Sequence, residues 1–161
     1  MRIERVVVNA SPLITLFRSG QDHRLPRLFD RIVVPEAVWT EVVVTDLADA
    51  ASRKLGRRGW PIRQPVNPSP RVDAWNLGAG ETAVLSHALA HPLERALVDD
   101  AAARRCAKTL GIPVLGTGGV LVLAKRRGLI VSITDSLEKL RAAGLWLSDE
   151  LCALLRAQAG E

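Results

Sequence analysis

Asn9, Glu41, Glu81, Asp99 and Asp100 are the residues of this chain whose types and placement could do chemistry. Asn9 follows the apolar run 6–8, and Asp99 and Asp100 follow the run 95–98. Neighbouring parallel strands lie about 4.8 Å apart, so side chains just beyond two such carboxyl ends can share one ion. Glu81 stands on the apolar stripe of a helical segment, with Val84, Leu85 and Ala88 at the following three-, four- and seven-residue steps. An inward carboxylate needs a partner, because burying an unpaired charge is expensive. Glu41 has the same setting, with Ala37 and Val38 before it and Val44 after it. It sits about six residues into its helix, roughly 9 Å along the axis, so spacing alone does not put it at the same edge. Carboxylates gathered at one edge suit Mg²⁺ or Mn²⁺, which prefer oxygen ligands. In a basic protein they fit phosphodiester hydrolysis, in which a divalent cation activates a water for in-line attack and offsets developing charge. Each acid also has a local use. Glu81 could favour the positive end of its helix, Asp100 could pair with Arg104, and Asp99 could cap its own helix.

The elements that must position these residues alternate. A strand is expected at 5–8, then a helix with Ser11 as N-cap and Pro12 at its first position, closed by Gly20. A short helix at 25–29, a strand at 31–34 and a helix from Pro35 to about Val44 follow. Residues 46–58 read as weakly helical with a basic end, and 60–77, with Pro61, Pro65, Pro68 and Pro70, as a loop or edge segment. Then come a helix at 80–90, a strand at 95–98, a helix at 99–110, a strand at 113–115 and a helix at 117–127. The tail adds helices at 136–143 and 149–157, with 145–147 a candidate last strand. Strands and helices alternating at this spacing imply an α/β fold whose mostly parallel sheet is covered on both faces. In such sheets the ligand site lies beyond the carboxyl ends of the strands.

The chain has 161 residues, 48% apolar and 24% charged, which fits one globular domain and excludes disorder and collagen. Its longest apolar stretch, 114–124, is broken by Gly116, Thr117, Gly118 and Gly119 and falls short of the roughly 20 residues a membrane helix needs. Arg2, Glu4 and Arg5 break up any secretory h-region, and Cys106 and Cys152 show no metal or disulfide spacing, so a cytoplasmic location is expected. Lysine and arginine number 22 against 17 acids, a net charge of +5, and 18 of the 22 are arginine. Arginine grips phosphate with a planar fork, so a nucleic-acid partner is favoured; an arginine-rich coding bias would give the same count.

The ordered motifs resemble a known family. They are Val-Val-Asn9-Ala-Ser11-Pro-Leu-Ile, Val34-Pro35-Glu36-Ala-Val-Trp-Thr-Glu41-Val, Gly78-Ala-Gly80-Glu81, Val98-Asp99-Asp100-Ala-Ala-Ala-Arg104, Leu115-Gly116-Thr117 and Leu123-Ala-Lys125-Arg126-Arg127-Gly128-Leu. Together they look like the PIN domain, closest to the bacterial and archaeal PIN-like proteins grouped with VapC-type toxins. The likeness runs from about Val6 to the end, and only 45–77 lacks a counterpart. It implies a single three-layer α/β/α PIN-like domain over 1–161, with 45–77 a variable basic and Pro-rich insertion and 132–161 a helical extension. It implies a Mg²⁺- or Mn²⁺-dependent ribonuclease, the toxin of a toxin–antitoxin pair, held by a small DNA-binding antitoxin and forming a homodimer. The family acids would map to Asn9, Glu41, Glu81 and Asp100, with Asp99 adjacent; Glu41, Glu81 and Asp100 would hold the metal, with Asn9 and Asp99 assisting, Ser11 supporting the first position and Thr117 lining the site. Arg104, Lys125, Arg126 and Arg127 are the candidate RNA contacts; the 125–127 run serves equally well as a solvated helix end. Two departures stand out. Asn9 replaces the family's usual Asp, removing one negative charge, and no acid stands in 116–119, where many relatives carry one. A weaker or single-ion site follows, and a non-catalytic RNA-binding module on a degenerate PIN fold is the rival reading.

Other signals carry less. Gly78–Ala83 matches G-x-G-x-x-A, with Asp99 about 20 residues on, but no strand precedes it, so a dinucleotide site ranks third. His87 and His91 have the i, i+4 spacing that can bind zinc, yet no third ligand stands at a telling distance, which suggests a solvated helix flank. Trp39, Trp60, Trp75 and Trp146 are not interleaved with basic residues as a base-stacking platform would be, and suggest core or subunit packing.

Overall fold

The computed structural model describes residues 5–45 and 49–161; the readings made for 1–4 and 46–48 lie outside the described residues. Its elements in chain order are β1 (Arg5–Val8), α1 (Ala10–Arg18), α2 (Arg24–Leu28), β2 (Arg31–Pro35), α3 (Glu36–Thr45), α4 (Ala50–Lys54), a 3₁₀ turn (Leu55–Arg57), β3 (Pro61–Gln64), α5 (Pro70–Asp73), α6 (Ala79–Ala90), β4 (Arg95–Leu97), α7 (Ala101–Leu110), β5 (Val114–Leu115), α8 (Thr117–Arg126), α9 (Ile133–Ala142) and α10 (Asp149–Gln158).

The strands form one sheet in the order β3-β2-β1-β4-β5, and every pair is parallel. Val6, Val7 and Val8 of β1 and Ile32, Val33 and Val34 of β2 are buried, as are Ala96 and Leu97 of β4. Runs without polar alternation are what a sheet covered on both faces requires. Helices flank it: α3 and α6 pack on the sheet and on each other, α2 packs on β2 and α8, and α8 meets α9 and α10. The result is a three-layer α/β/α arrangement. From β1 the chain moves outward to β2 and β3, then returns to place β4 on the other side of β1. The sheet therefore has its topological switch point between β1 and β4, where open α/β sheets bind ligands. Val8 pairs with Leu97 there, and Asn9 N–H donates to Leu97 O at 3.1 Å, so Asn9 and Asp99 leave adjacent strand ends.

Several local expectations are corrected. The first helix begins at Ala10 with Asn9, not Ser11, as its N-cap residue. Pro12 is tolerated there because first-turn N–H groups have no intrahelical partner. Residues 145–147 form no strand. Their burial alternates, with Leu147 buried and Trp146 83% exposed, but Leu145 N–H bonds back to Leu140 O and no ladder to β5 forms. Trp75 and Trp146 are exposed rather than core, whereas Trp60 stacks on Phe17 and Trp39 lies under the Arg63 guanidinium. His87 is buried, so the solvated-flank reading holds only for His91. The glycines of 78–83 follow the short helix α5, which removes the strand a dinucleotide fingerprint needs.

Candidate active site

Asn9 ends β1 and has the extended backbone of an N-cap, φ −82° and ψ 166°, yet its side chain makes no capping bond. The residue is 2% exposed, and its amide Oδ1 is buried with no hydrogen-bond partner among the described residues. A buried carbonyl left unbonded costs about 1–3 kcal/mol, so this oxygen is set up to receive a ligand. It points toward Gly80 in the first turn of α6. A Cβ at residue 80 would lie 3.1 Å from Asn9 Oδ1 and 2.7 Å from Glu41 Oε2. The two oxygens thus converge over a Cα that carries no side chain.

This close approach is how Glu41 reaches the edge. Helix α3 packs on α6, and the missing side chain at position 80 leaves room for the Glu41 carboxylate over the α6 backbone. Glu41 is exposed as a residue, while its carboxylate lies over Gly80 near Asn9 Oδ1. Burial pushes its carboxyl above the ordinary value, and the Glu81 charge pushes it further. Glu81 itself is half-buried and curls back toward the helix start, where a Cβ at Gly78 would meet its Oε2 at 2.6 Å. Asn9, Glu41 and Glu81 therefore form an all-oxygen, net-negative group at the carboxyl end of the sheet. That donor set fits a hard divalent cation.

The other two acids are bound by the fold. Asp99 accepts from Thr117 N–H at 2.8 Å and from Thr117 Oγ1–H at 2.6 Å, so it holds the first turn of α8 rather than capping its own helix. Asp100 caps α7 instead, accepting from Ala103 N–H at 2.9 Å. Arg104, which could have paired with Asp100 one turn away, donates from Nη1 to Val98 O at 3.2 Å. A Cβ at Gly116 would lie 2.9 Å from that Nη1 and 3.3 Å from Asp99 Oδ1, so Arg104 and Asp99 sit together over this glycine. Among the described residues, these edge acids do not form a trio with ligating atoms all within 4.8 Å of one another.

Ser11 is exposed in the first turn of α1 and lines a hollow of about 280 Å³ with Glu41 and Arg18. A larger groove of about 500 Å³ runs between Asp99, Arg104 and Gly116 on one side and Trp146 and Leu154 on the other. Arg126 and Arg127 lie away from these acids, at the far end of α8, about 15 Å along a ten-residue helix. Arg126 donates to Gln158 O at 2.9 Å and Arg127 to Leu28 O at 2.7 Å, so both guanidinium groups serve helix-end carbonyls. Lys125 shares that end of α8.

Sequence reasoning missed Gly80 as a determinant of the site and Thr117 as the partner of Asp99. The signal for Gly80 was its place one residue before an inward acid; nothing local signalled the Thr117 contact, which spans 18 positions.

The family comparison agrees with this geometry: a family model described as a PIN domain matches residues 5–161, nearly the whole chain. The chain belongs to the PIN-domain family. No curated protein and no solved structure matches it. PIN domains are typically nucleases and usually use divalent metals, so a nuclease-type function is supported at that level. The orphaned Asn9 Oδ1 beside the Glu41 carboxylate is the local feature that fits such an ion.

Proposed function

We propose that this PIN domain is a Mg²⁺- or Mn²⁺-dependent endoribonuclease acting at the carboxyl edge of its sheet. The observation that carries the reading is the buried, unbonded Oδ1 of Asn9 converging with the Glu41 carboxylate over Gly80. Asn9, Glu41 and Glu81 would hold the ion. When bound, it would activate a water and neutralise charge on the phosphodiester in the transition state. The chain's own residues do the rest. Asp99 fixes Thr117 at the start of α8 and keeps a negative charge beside the site. Asp100 lies next to it on the exposed rim. Arg104, anchored on Val98 O, offers its remaining guanidinium donors to a backbone phosphate.

The finer role we propose is the toxin of a toxin–antitoxin pair in the cytoplasm, working as a homodimer and silenced by a small DNA-binding antitoxin. Its support is the likeness to VapC-type proteins and the apolar wall of the 500 Å³ groove, where Trp146 is 83% and Leu154 53% exposed beside Asp99. The free, buried Cys106 and Cys152 are compatible with a reducing compartment.

A second reading, a non-catalytic RNA-binding module, is favoured by one observation: Asp99 and Asp100 are both bound to backbone N–H groups of the fold. Incubation of a labelled, structured RNA with purified protein in Mg²⁺, Mn²⁺ or EDTA separates the two. Cleavage with either ion and none in EDTA is expected. RNA retained but uncut in all three conditions overturns the nuclease.

A further inference from the structure

At the opposite end of the sheet, where α6 ends and β4 begins, three side chains close on one another. His87 Nε2 is in hydrogen-bond contact with Glu94 Oε2, and both residues are buried, at 2% and 3% exposure. His91 follows one helical turn after His87, and the two rings stack with centroids 4.1 Å apart. One ligating atom from each of His87, His91 and Glu94 lies within 4.8 Å of the others. Among the described residues this is the one trio of His, Cys, Asp or Glu so closely grouped.

We propose that His87, His91 and Glu94 form a second metal site, chemically unlike the acid group, that takes Zn²⁺. Two imidazoles and one carboxylate are a zinc donor set, whereas Mg²⁺ selects oxygen. The contact between His87 Nε2 and Glu94 Oε2 is held by a single proton, and a cation can take that proton's place. Ligands about 2.0 Å from a tetrahedral ion stand roughly 3.3 Å apart, so binding requires the trio to draw together from within 4.8 Å and the two stacked rings to turn toward one point. His91 Nδ1 lies 2.8 Å from His87 O. A carbonyl only accepts, so Nδ1 carries the hydrogen, and in the neutral ring the lone pair sits on Nε2. The second oxygen of Glu94 accepts from Arg31 Nε at 2.8 Å. Outer contacts of this kind fix the orientation of a ligand. A cavity of about 450 Å³ lined by Arg5, Arg31, His91 and Glu94 gives the ion a way in and leaves room for a water as fourth ligand. Bound there, the ion would tie the 91–94 turn to the end of α6 and, through Arg31, to β2. The site lies outside the nuclease reading and does not depend on it.

The test is titration of untagged, metal-free protein with Co²⁺ and Zn²⁺, read by the visible absorption of four-coordinate Co²⁺ and by the melting temperature. Wild-type protein is expected to bind one Zn²⁺, show the tetrahedral Co²⁺ band and melt higher with Zn²⁺. His91→Ala removes an exposed ligand and leaves the buried His87–Glu94 pair, so the fold survives; affinity should fall at least about tenfold and the band should vanish. Glu41→Gln, which disables the acid group, should keep both signals. No Co²⁺ band in wild type overturns the proposal, and so does a band or Zn²⁺ stabilisation that His91→Ala leaves unchanged or Glu41→Gln abolishes.

Discussion

Asn9 Oδ1 and Glu41 Oε2 both come within 3.1 Å of the place a Cβ would occupy on Gly80. A β1 residue and an α3 residue thereby meet over the first turn of α6. Gly80→Ala should block this meeting. Its backbone is ordinary helix, so alanine also gains about 0.5–1 kcal/mol in propensity. Cleavage and Mn²⁺ affinity should each drop about tenfold or more, with a melting temperature equal to or above wild type. Thermal melts beside metal titration read both; a loss of activity that tracks a loss of fold would refute the assignment.

Asn9→Asp adds one negative charge to this oxygen group. Ligand charge count tunes divalent affinity, so Mn²⁺ should bind about tenfold more tightly. The same charge, buried beside Glu41, should lower the melting temperature of the metal-free protein and make it more responsive to added Mn²⁺. Calorimetric titration and melts with and without Mn²⁺ check both signs.

Burial and the Glu81 charge raise the Glu41 carboxyl in the fold. A folded-state value above the unfolded one means the ionised form costs stability at high pH. That cost fades as pH falls through the folded value toward the unfolded one. Glu41→Gln should therefore stabilise the metal-free protein at neutral pH, by less than about 1 kcal/mol because the residue is solvent-screened. The gain should disappear toward pH 4. Paired melts across pH 4–8 in EDTA measure it.

Asp99 and Asp100 are adjacent in sequence but do different work. Asp99→Asn loses charge-assisted bonds to Thr117 and should cost about 1–3 kcal/mol. Asp100→Asn keeps an equally good N-cap for α7 and should change stability by under about 0.5 kcal/mol. Chemical denaturation of the two variants distinguishes them. If Asp100→Asn also abolishes cleavage, Asp100 acts on the reaction and not on the fold.

Much of the scaffold was legible in the sequence because β1, β2 and β4 are apolar on both faces and their helices are punctuated by Gly20, Gly111 and Gly128, all at positive φ. The carboxyl-edge rule then located Asn9, Asp99 and Glu81. What could not be read was non-local. Glu41 reaches the edge where α3 meets α6 and lays its carboxylate over a glycine. Asp99 caps a helix that starts 18 residues later, and His87 finds Glu94 only once a turn brings the chain back past Pro92. At 145–147 a strand-like alternation reports one-sided burial without a partner strand, so periodicity misled.

In the proposed reaction Asn9, Glu41 and Glu81 hold a divalent ion for RNA cleavage. The most direct measurement is the single-turnover cleavage rate of a labelled structured RNA at saturating Mn²⁺ for wild type, Glu41→Gln and Glu81→Gln. A fall of about 100-fold or more in both variants, with RNA binding intact and a metal-free melting temperature no lower than wild type, is the predicted result. Rates within about threefold of wild type in both variants would contradict the claim.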